Sequence, residues 1–346
     1  MSAEKGIQQK ADLLGIHKLG IIKLAAMLDY ADRLRERMER IPNGEALYGG
    51  FLRFADLKRT FPWAKSLVVA VLHYGHYAIP QAAEGRFGKS YLMDLRFNPK
   101  SPEQQKVVAL EGYMRELGIR TETSSHPGIT AMRWAAYKAG LGTIRRNNFF
   151  YTELGSWVSI TAWATDAEME LLFSPSLPEC PTNCDRCVHA CPVNSLSSAY
   201  TMNMATCISR ITTSNERAPV DDATNKKIGR WIYGCDVCQD VCPMNAGKWN
   251  SDDAFPDLGE LGKFLSPEKI LGMTSDEIEH LLARKFFYIK KEFLFKWKLN
   301  AINSMINDLA QDAEPHLRRA LSDENELVRE HARLALGKFG RDKTNG

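Results

Sequence analysis

All eight cysteines of this 346-residue chain lie between positions 180 and 242. A chain of this length buries enough apolar surface to fold without covalent crosslinks, so stability alone does not require the cysteines. The N-terminus lacks the basic and apolar segments of a secretory signal, and no uncharged run is long enough to span a bilayer, so we expect a cytoplasmic protein. In that reducing compartment, dense cysteines are more typical of a metal site than of disulfides.

The cysteines form two copies of one spacing pattern. The first is Cys180-x3-Cys184-x2-Cys187-x3-Cys191-Pro192, and the second, after a lone Cys207, is Cys235-x2-Cys238-x3-Cys242-Pro243. In bacterial two-cluster ferredoxins, three close cysteines bind one [4Fe–4S] cluster and the cysteine before the proline binds the other. The same exchange assigns one cluster to Cys180, Cys184, Cys187 and Cys242. It assigns the second to Cys191, Cys207, Cys235 and Cys238.

Zinc is the alternative metal for such a group. Zinc ribbons place two Cys-x2-Cys pairs roughly 15–20 residues apart. Cys187 and Cys235 are separated by far more, and each group here ends in Cys-Pro. Soft thiolate ligands in this arrangement favour two [4Fe–4S] clusters that exchange electrons.

Composition divides the chain into three regions, 1–175, 176–250 and 251–346. In the first, apolar runs predict strands at 66–72 and 157–163, and helical spacing predicts helices at 8–14, 24–38, 104–117 and 130–138. Gly118 and Gly140 are placed to end the last two helices. We therefore expect an α+β fold in which helices cover a mixed sheet, followed by a ferredoxin-like module.

The third region reads as successive helices, and 317–336 resembles one HEAT-type helical repeat. A single repeat cannot bury its own apolar face, so it is expected to pack against the preceding helices.

Several cofactor classes find no support in the sequence. No strand is followed by Gly-x-Gly-x-x-Gly, and no lysine has the glycine spacing of a P-loop, which argues against nicotinamide, Rossmann-type flavin and ATP sites. An Asp-x-His-x-x-Gly run is also missing, so a protein histidine is not expected to ligate cobalamin. The net charge of +3 is too small to attract nucleic acid or lipid over the whole surface.

Specific motifs resemble the epoxyqueuosine reductase family. They are 184–192, Cys207-Ile208-Ser209, the block Tyr-Gly-Cys-Asp-Val-Cys-Gln-Asp-Val-Cys-Pro-Met-Asn at 233–245, and the terminal repeat at 328–336. Upstream, 139–147 and Gly155-Ser156-Trp157 are similar to the cobalamin domain of that family. The resemblance implies a reductase in which two [4Fe–4S] clusters reduce a base-off cobalamin, which then reduces the epoxide of a modified tRNA base in queuosine biosynthesis.

The resemblance also implies site residues, and the chain departs from the family at one of them. The family has an aspartate three residues before a proline, and aligned on Pro127 this chain has Ser124. This departure indicates a divergent paralogue. His126, whose ordinary pKa suits proton delivery at neutral pH, is the candidate general acid. The alternative is that His126 is an ordinary loop residue before a proline, in which case Tyr91, Tyr137 or another group would supply the proton.

Five residues are expected to bind the cobalamin. Asn147, Ser156 and Trp157 belong to the family-like motifs, and Tyr91 is expected beside them. The guanidinium of Arg145 suits a cofactor phosphate, an amide or a substrate anion, although a surface turn is an equally ordinary place for it.

The segment from Arg284 to Lys298 carries six positive charges, one negative charge and several aromatic residues. Its lysines could contact a tRNA backbone while its aromatic residues pack inward. We further expect an electron donor of the flavodoxin or ferredoxin type, no membrane association and a monomer.

Two alternatives to tRNA epoxyqueuosine reduction stay open at this point. The same cofactors could act on a small molecule, as in reductive dehalogenases, because the family aspartate is missing. The chain could also be a non-catalytic iron–sulfur electron carrier that binds no cobalamin.

Overall fold

A computed structural model describes residues 2–93, 95, 98–124, 128–174, 177–216, 220–308 and 312–344. Its six strands are β1 Lys18–Lys23, β2 Ser66–His73, β3 Thr121–Glu122, β4 Thr143–Ile144, β5 Phe150–Tyr151 and β6 Val158–Thr165. Four of them form a sheet in the order β1-β2-β6-β3, and β4 pairs with β5 in a separate hairpin. The predicted strands at 66–72 and 157–163 correspond to β2 and β6 and are confirmed.

The sheet is antiparallel at every pairing within it, so the prediction of a mixed sheet was wrong. The long apolar run of β2 is typical of strands that are buried on both faces, which are common in parallel sheets. Here, helices cover both faces of an antiparallel sheet. Leu67, Val69 and Val71 pack towards one face, and Val68 and Ala70 pack towards the other. Burial, rather than strand direction, produced the pattern.

The first half of the chain contains α1 Ala3–Leu13, α2 Tyr30–Glu39, α3 Gly44–Tyr48, α4 Lys89–Leu92, α5 Pro102–Glu116 and α6 Met132–Lys138. The cysteine-containing region contains α7 Arg186–His189, α8 Ile208–Thr212, α9 Asp222–Ile228 and α10 Val237–Asp240. The last region contains α11 Leu258–Gly262, α12 Pro267–Gly272, α13 Ser275–Ile278, α14 Phe295–Asn307, α15 Ala313–Ala320 and α16 Glu326–Thr344. Short 3₁₀ turns lie at Leu24–Met27, Gly49–Phe54, Leu57–Arg59, Gln81–Ala83, Pro243–Asn245 and Lys291–Phe293, and a π-helical turn lies at Glu279–Ala283.

The helices predicted in the first region are present, with one difference. The stretch 24–38 is not one helix, because a 3₁₀ turn at Leu24–Met27 precedes α2. Gly118 and Gly140 adopt φ of +75° and +76°, the left-handed conformation that ends a helix, as predicted. Within the described residues, no helix is both long enough and apolar enough to cross a membrane.

One apolar core joins the C-terminal helices to the rest of the molecule. It contains Phe286 and Trp297 together with Tyr74, Phe87 and Trp157 from the first half of the chain. Tyr233, two residues before Cys235, stacks on Trp297 with ring centroids 4.9 Å apart. The cysteine-containing region is therefore held between the N-terminal sheet and the C-terminal helices.

Amides on α14 fasten the C-terminal helices to the cysteine-containing region. Asn300 donates to the carbonyl oxygens of Thr212 and Ile232, each at 2.9 Å. Asn303 donates to Asn225 at 2.9 Å, and its own oxygen lies 2.6 Å from Nε2 of His331 on α16. Such buried, satisfied amides fix the relative positions of the elements they join.

We expect His331 to make the stability of the folded protein depend on pH. Burial, with a smaller effect from Lys338, lowers the pKa of His331 to about 4, whereas Asp222 opposes and Lys296 adds to the shift. In the unfolded chain this histidine titrates near pH 6.5. Its effect on the free energy of unfolding is therefore negligible above that pH, and the folded protein loses stability as pH falls from there towards 4. At pH 5 the loss amounts to about 2 kcal/mol.

The measurement is the free energy of unfolding under anaerobic conditions at pH 7.5 and pH 5, for the wild type and His331→Gln. The variant should lose about 2 kcal/mol less between the two pH values than the wild type does. An identical loss in both proteins would show that folding does not lower the pKa of His331.

Candidate metal and cofactor centre

Short helices and tight turns present the eight cysteines. Cys187 lies on α7 and Cys238 on α10, two four-residue helices that pack against each other. Cys207 precedes α8 in extended conformation. The prolines that follow Cys191 and Cys242 lack a backbone N–H and so interrupt regular structure after each motif. None of the eight cysteines is in a disulfide.

The thiols of the first predicted cluster influence one another. Burial, together with the smaller effects of the charges of Cys180, Cys242 and Cys184, raises the pKa of Cys187 to about 11. Cys242 is distant in sequence but acts on Cys187 more strongly than Cys184 does. We call Cys180, Cys184, Cys187 and Cys242 set one.

The other four thiols are related in the same way. Burial raises the pKa values of Cys207, Cys235 and Cys238. Cys191 raises the first two further, and Cys207 acts on both Cys235 and Cys238. We call Cys191, Cys207, Cys235 and Cys238 set two. Cys187 also acts on Cys238, so the two sets adjoin.

The chemistry of both sets fits iron–sulfur ligation. A buried thiol keeps its proton because the thiolate is poorly solvated, and a bound metal reverses this by replacing the proton with positive charge. No three His, Cys, Asp or Glu side chains in the described ranges converge closely enough to hold a single metal ion, so the two sets are recognised by their mutual electrostatic effects. The assignment of individual ligands stays a prediction that these effects support.

A cavity of about 660 Å³ lies beside set two. Its walls come from β6, α6, the cysteine-containing region and the segment 285–288. All four thiols of set two line it, and among the described residues no thiol of set one does. Polar side chains that also line it include Tyr74, Tyr91, Arg133, Asn147, Ser156, Asp236 and Gln239. The cavity is therefore the place where a cofactor or substrate would meet the second cluster.

Three of the five predicted cobalamin residues, Tyr91, Asn147 and Ser156, line this cavity. Asn147 follows β4 and donates to the Tyr151 hydroxyl and to the Cys238 carbonyl oxygen, each at 2.8 Å. Its amide thereby connects the β4–β5 hairpin to the backbone of set two.

Ser156 is held in a buried amide network. Its hydroxyl donates to Gln239 at 2.9 Å and accepts from Asn245 at 2.8 Å. The Asn245 oxygen accepts from the Ser156 backbone N–H, also at 2.8 Å. The family-like Gly-Ser-Trp motif is thus bonded to the second cysteine motif, which fixes that part of the cavity wall.

Tyr91 stands between aromatic rings and a hydroxyl. Its ring meets those of Tyr233 and Tyr288 edge to face, and its hydroxyl lies 2.8 Å from Ser209 Oγ. Burial raises the pKa of Tyr91, so it stays protonated at neutral pH.

Arg145 and Trp157 do not line the cavity. Arg145 turns away towards Cys180 of set one, with one guanidinium nitrogen 3.6 Å from the sulfur. Trp157 is buried behind the wall, edge to face with Trp249 and beneath the ammonium of Lys89 at 4.5 Å. Of the predicted acids, Tyr137 stacks on Trp134 away from the cavity, and His126 lies outside the described residues.

Arg133 and Asp236 are among the polar cavity residues that were not anticipated as site residues. Arg133 donates to the Asn148 carbonyl oxygen at 2.7 Å and lies over the Phe149 ring. Asp236, between two predicted ligands, is 2% exposed; burial raises its pKa to about 6, although Lys89 opposes this. Only its position inside the cysteine motif could have drawn attention to Asp236.

Comparison with known proteins gives consistent matches. Residues 179–245 match the family described as a 4Fe-4S double cluster binding domain. An epoxyqueuosine reductase of Cellulophaga algicola is 31% identical over 268 residues, which cover 74% of this chain and 85% of that protein.

Solved structures extend the match to almost the whole fold. The epoxyqueuosine reductase of Streptococcus thermophilus superposes with a TM-score of 0.76 at 26% identity, covering 99% of this chain and 91% of that one. An epoxyqueuosine reductase bound to an epoxyqueuosine-modified tRNA-Tyr stem loop gives a TM-score of 0.75 at 25% identity, covering 97% and 90%.

Proposed function

The chain belongs to the epoxyqueuosine reductase family, and from this premise we propose that it reduces the epoxide of epoxyqueuosine in tRNA. It is an oxidoreductase with two [4Fe–4S] clusters and a cobalamin. The observation that carries the proposal is the cavity walled by the four thiols of set two together with Tyr91, Asn147 and Ser156. A cluster in set two would face the reaction space directly.

The positions of the two sets suggest the order in which they would carry electrons. Set one lies below the exposed loop at 181–183, adjoins set two through Cys187 and Cys238, and stays away from the cavity. Electrons from a donor of the flavodoxin or ferredoxin type would reach set one first, pass to set two, and arrive at the cavity one at a time.

When bound, the corrinoid supplies a strongly reducing centre that collects single electrons for a two-electron reduction. The chain's own residues position it. Asn147 and Ser156 have their polar groups fixed by neighbours, so they present a pre-organised surface, and Tyr91 closes the wall between them and the segment 285–288. In this proposal Arg145 and Trp157 do not contact the corrinoid, and they support the cavity wall from its far side.

Epoxide reduction to the alkene consumes two electrons and two protons and releases water. We propose that His126 supplies a proton. The nearest described residues support this proposal, because Gly128 lies next to Met132 and Met132 lines the cavity. Tyr91 is the alternative donor, since its hydroxyl stays protonated and lines the same cavity.

Replacing His126 with alanine should slow the chemical step by about 10²–10⁴-fold, the usual contribution of a general acid. Tyr91→Phe is the matched comparison and should cost less than tenfold, because the ring that fills the wall is kept. Single-turnover rates of both variants, with iron and cobalamin content verified, distinguish the two donors. A large loss only in Tyr91→Phe would transfer the role to the tyrosine.

The tRNA would approach through the segment 285–288, which lines the cavity. Not every lysine between Arg284 and Lys298 is available to RNA. Lys296 and Lys298 are 2% and 5% exposed, and Lys298 is ion-paired with Asp323 at 2.5 Å. Residues 284–291 are therefore the portion that we propose contacts RNA.

We retain three finer proposals on organisation. The chain would divide into a cobalamin and substrate region at 1–175, a cluster module at 176–250 and a helical region at 251–346. The packed pair α15 and α16 would form a HEAT-like repeat supported by α12 and α14. The protein would act as a monomer in the cytoplasm.

The test of function uses the anaerobically loaded protein, a chemical reductant and an epoxyqueuosine-containing tRNA stem loop. We expect mass spectrometry of the digested RNA to show loss of one oxygen atom, giving queuosine. Complete retention of the epoxide by protein with both clusters and cobalamin bound would refute the proposed substrate.

A further inference from the structure

Arg145 is a buried cation at the end of the β4–β5 hairpin. It is 3% exposed. Its guanidinium donates to the Pro178 carbonyl oxygen at 3.0 Å and to the Cys180 sulfur at 3.6 Å. The same group lies 5.4 Å from the centre of the Tyr151 ring. Arg145 thus contacts the first ligand of set one directly.

No carboxylate in the described part of the chain forms an ion pair with Arg145. Its Nε is buried and has no hydrogen-bond partner among those residues. Burying a charge is costly unless an opposite charge compensates it, and arginine does not lose its proton in proteins. The negative group that Arg145 faces is the sulfur of set one, which becomes a thiolate when iron is bound.

The same hairpin brings a second polar side chain near set one. Burial and the nearby Cys242 raise the pKa of Tyr151 on β5, and its hydroxyl accepts from Asn147. The hairpin therefore places a cation and a hydroxyl beside the thiols of set one. Arg146, the next residue, differs: its guanidinium donates to the carbonyl oxygens of Cys184 and Thr182 and, within the described residues, to no sulfur.

We infer that Arg145 is a positioning residue that raises the reduction potential of the set-one cluster. The inference rests on the proposed function, because it presupposes that set one holds a [4Fe–4S] cluster. Reduction adds one electron to the cluster, and a fixed positive charge and an N–H···S bond both stabilise the more negative state. Burial strengthens both effects, since little water screens them.

The expected consequence is easier electron uptake at the donor-facing cluster. One electron leaves the external donor, which is oxidised, and resides on the set-one cluster without a proton being taken up. With Arg145 in place, this cluster is reduced at a less negative solution potential, so set one stays loaded while set two delivers electrons to the cavity.

The experiment is an anaerobic redox titration of the loaded full-length protein, followed by the electron paramagnetic resonance signals of the reduced clusters. For Arg145→Gln, we expect the midpoint potential of one cluster to become more negative. At a fixed solution potential, the ratio of reduced to oxidised cluster should fall at least tenfold. For a one-electron couple, a tenfold change in this ratio corresponds to a midpoint shift of about 59 mV. The other midpoint should stay in place.

Arg146→Gln is the matched control, because it removes the same charge at the neighbouring position without removing a sulfur contact. It should change the ratio less than threefold. Arg145→Lys keeps the charge but loses the planar fork, and should give an intermediate midpoint. This third variant also decides the test if Arg145→Gln fails to retain its iron.

Unchanged midpoints in Arg145→Gln with full iron content would overturn the inference, as would an equal shift in Arg146→Gln or wild-type midpoints in Arg145→Lys. A wild-type protein without two cluster signals would instead contradict the proposed function. The two failures are therefore distinguishable.

Discussion

Removing Cys184 and Cys242 together should leave about half of the iron, whereas removing Cys238 and Cys242 together should leave almost none. The loaded protein should hold roughly eight irons in two clusters. Cys184 and Cys242 belong to the same set, so the double alanine variant loses one cluster only. Cys238 and Cys242 lie in one sequence motif but in different sets, so that pair eliminates both clusters.

The controls are the three single alanine variants, each of which should retain roughly four irons. All of these variants should show no detectable turnover, because either loss interrupts the electron path. If Cys238→Ala/Cys242→Ala kept half of the iron and Cys184→Ala/Cys242→Ala kept none, each motif would bind its own cluster and the exchange would be wrong.

Filling the cavity should abolish cobalamin binding without disturbing the clusters. Ser159 on β6 lines the cavity, opposite Leu72 of β2 in the sheet. A tryptophan there would occupy space that the cofactor needs, and overpacking of this kind costs roughly 1–3 kcal/mol or more. We expect cobalamin affinity to fall at least about tenfold, and more where the wall cannot shift.

Ser251→Trp is the control, since Ser251 is exposed and does not line the cavity. Equilibrium dialysis under anaerobic conditions measures the affinity, and iron analysis verifies that each variant keeps both clusters. Wild-type affinity in Ser159→Trp would place the cofactor elsewhere, and an equal loss in Ser251→Trp would show that the effect is not local.

The sequence was most informative where the chemistry is local. Neighbouring cysteines within each motif lie three or four positions apart, so the spacing predicts two cluster-binding motifs. The same holds for β2, whose eight residues include an uninterrupted apolar run. Strand direction was not readable, because burial on both faces gives the same pattern in parallel and antiparallel sheets.

The site depends on contacts between residues that are far apart in sequence. Arg145 reads as a charged turn residue, and its approach to Cys180 spans 35 positions. Lys298 reads as a surface lysine until Asp323 is found beside it. β1 was not predicted, because Lys18–Lys23 is short and contains a glycine, Gly20. Gly20 belongs to a strand because it pairs with Val69 of β2, and that contact is not visible in the sequence.

The most direct test of the central claim is an optical titration of the anaerobically loaded protein with cobalamin. We predict roughly eight irons per chain and tight uptake of one cobalamin, with the absorption spectrum of the base-off form. A protein that holds both clusters but leaves the cobalamin spectrum unchanged would be an electron carrier, and the cavity beside set two would not be the reductase site described above.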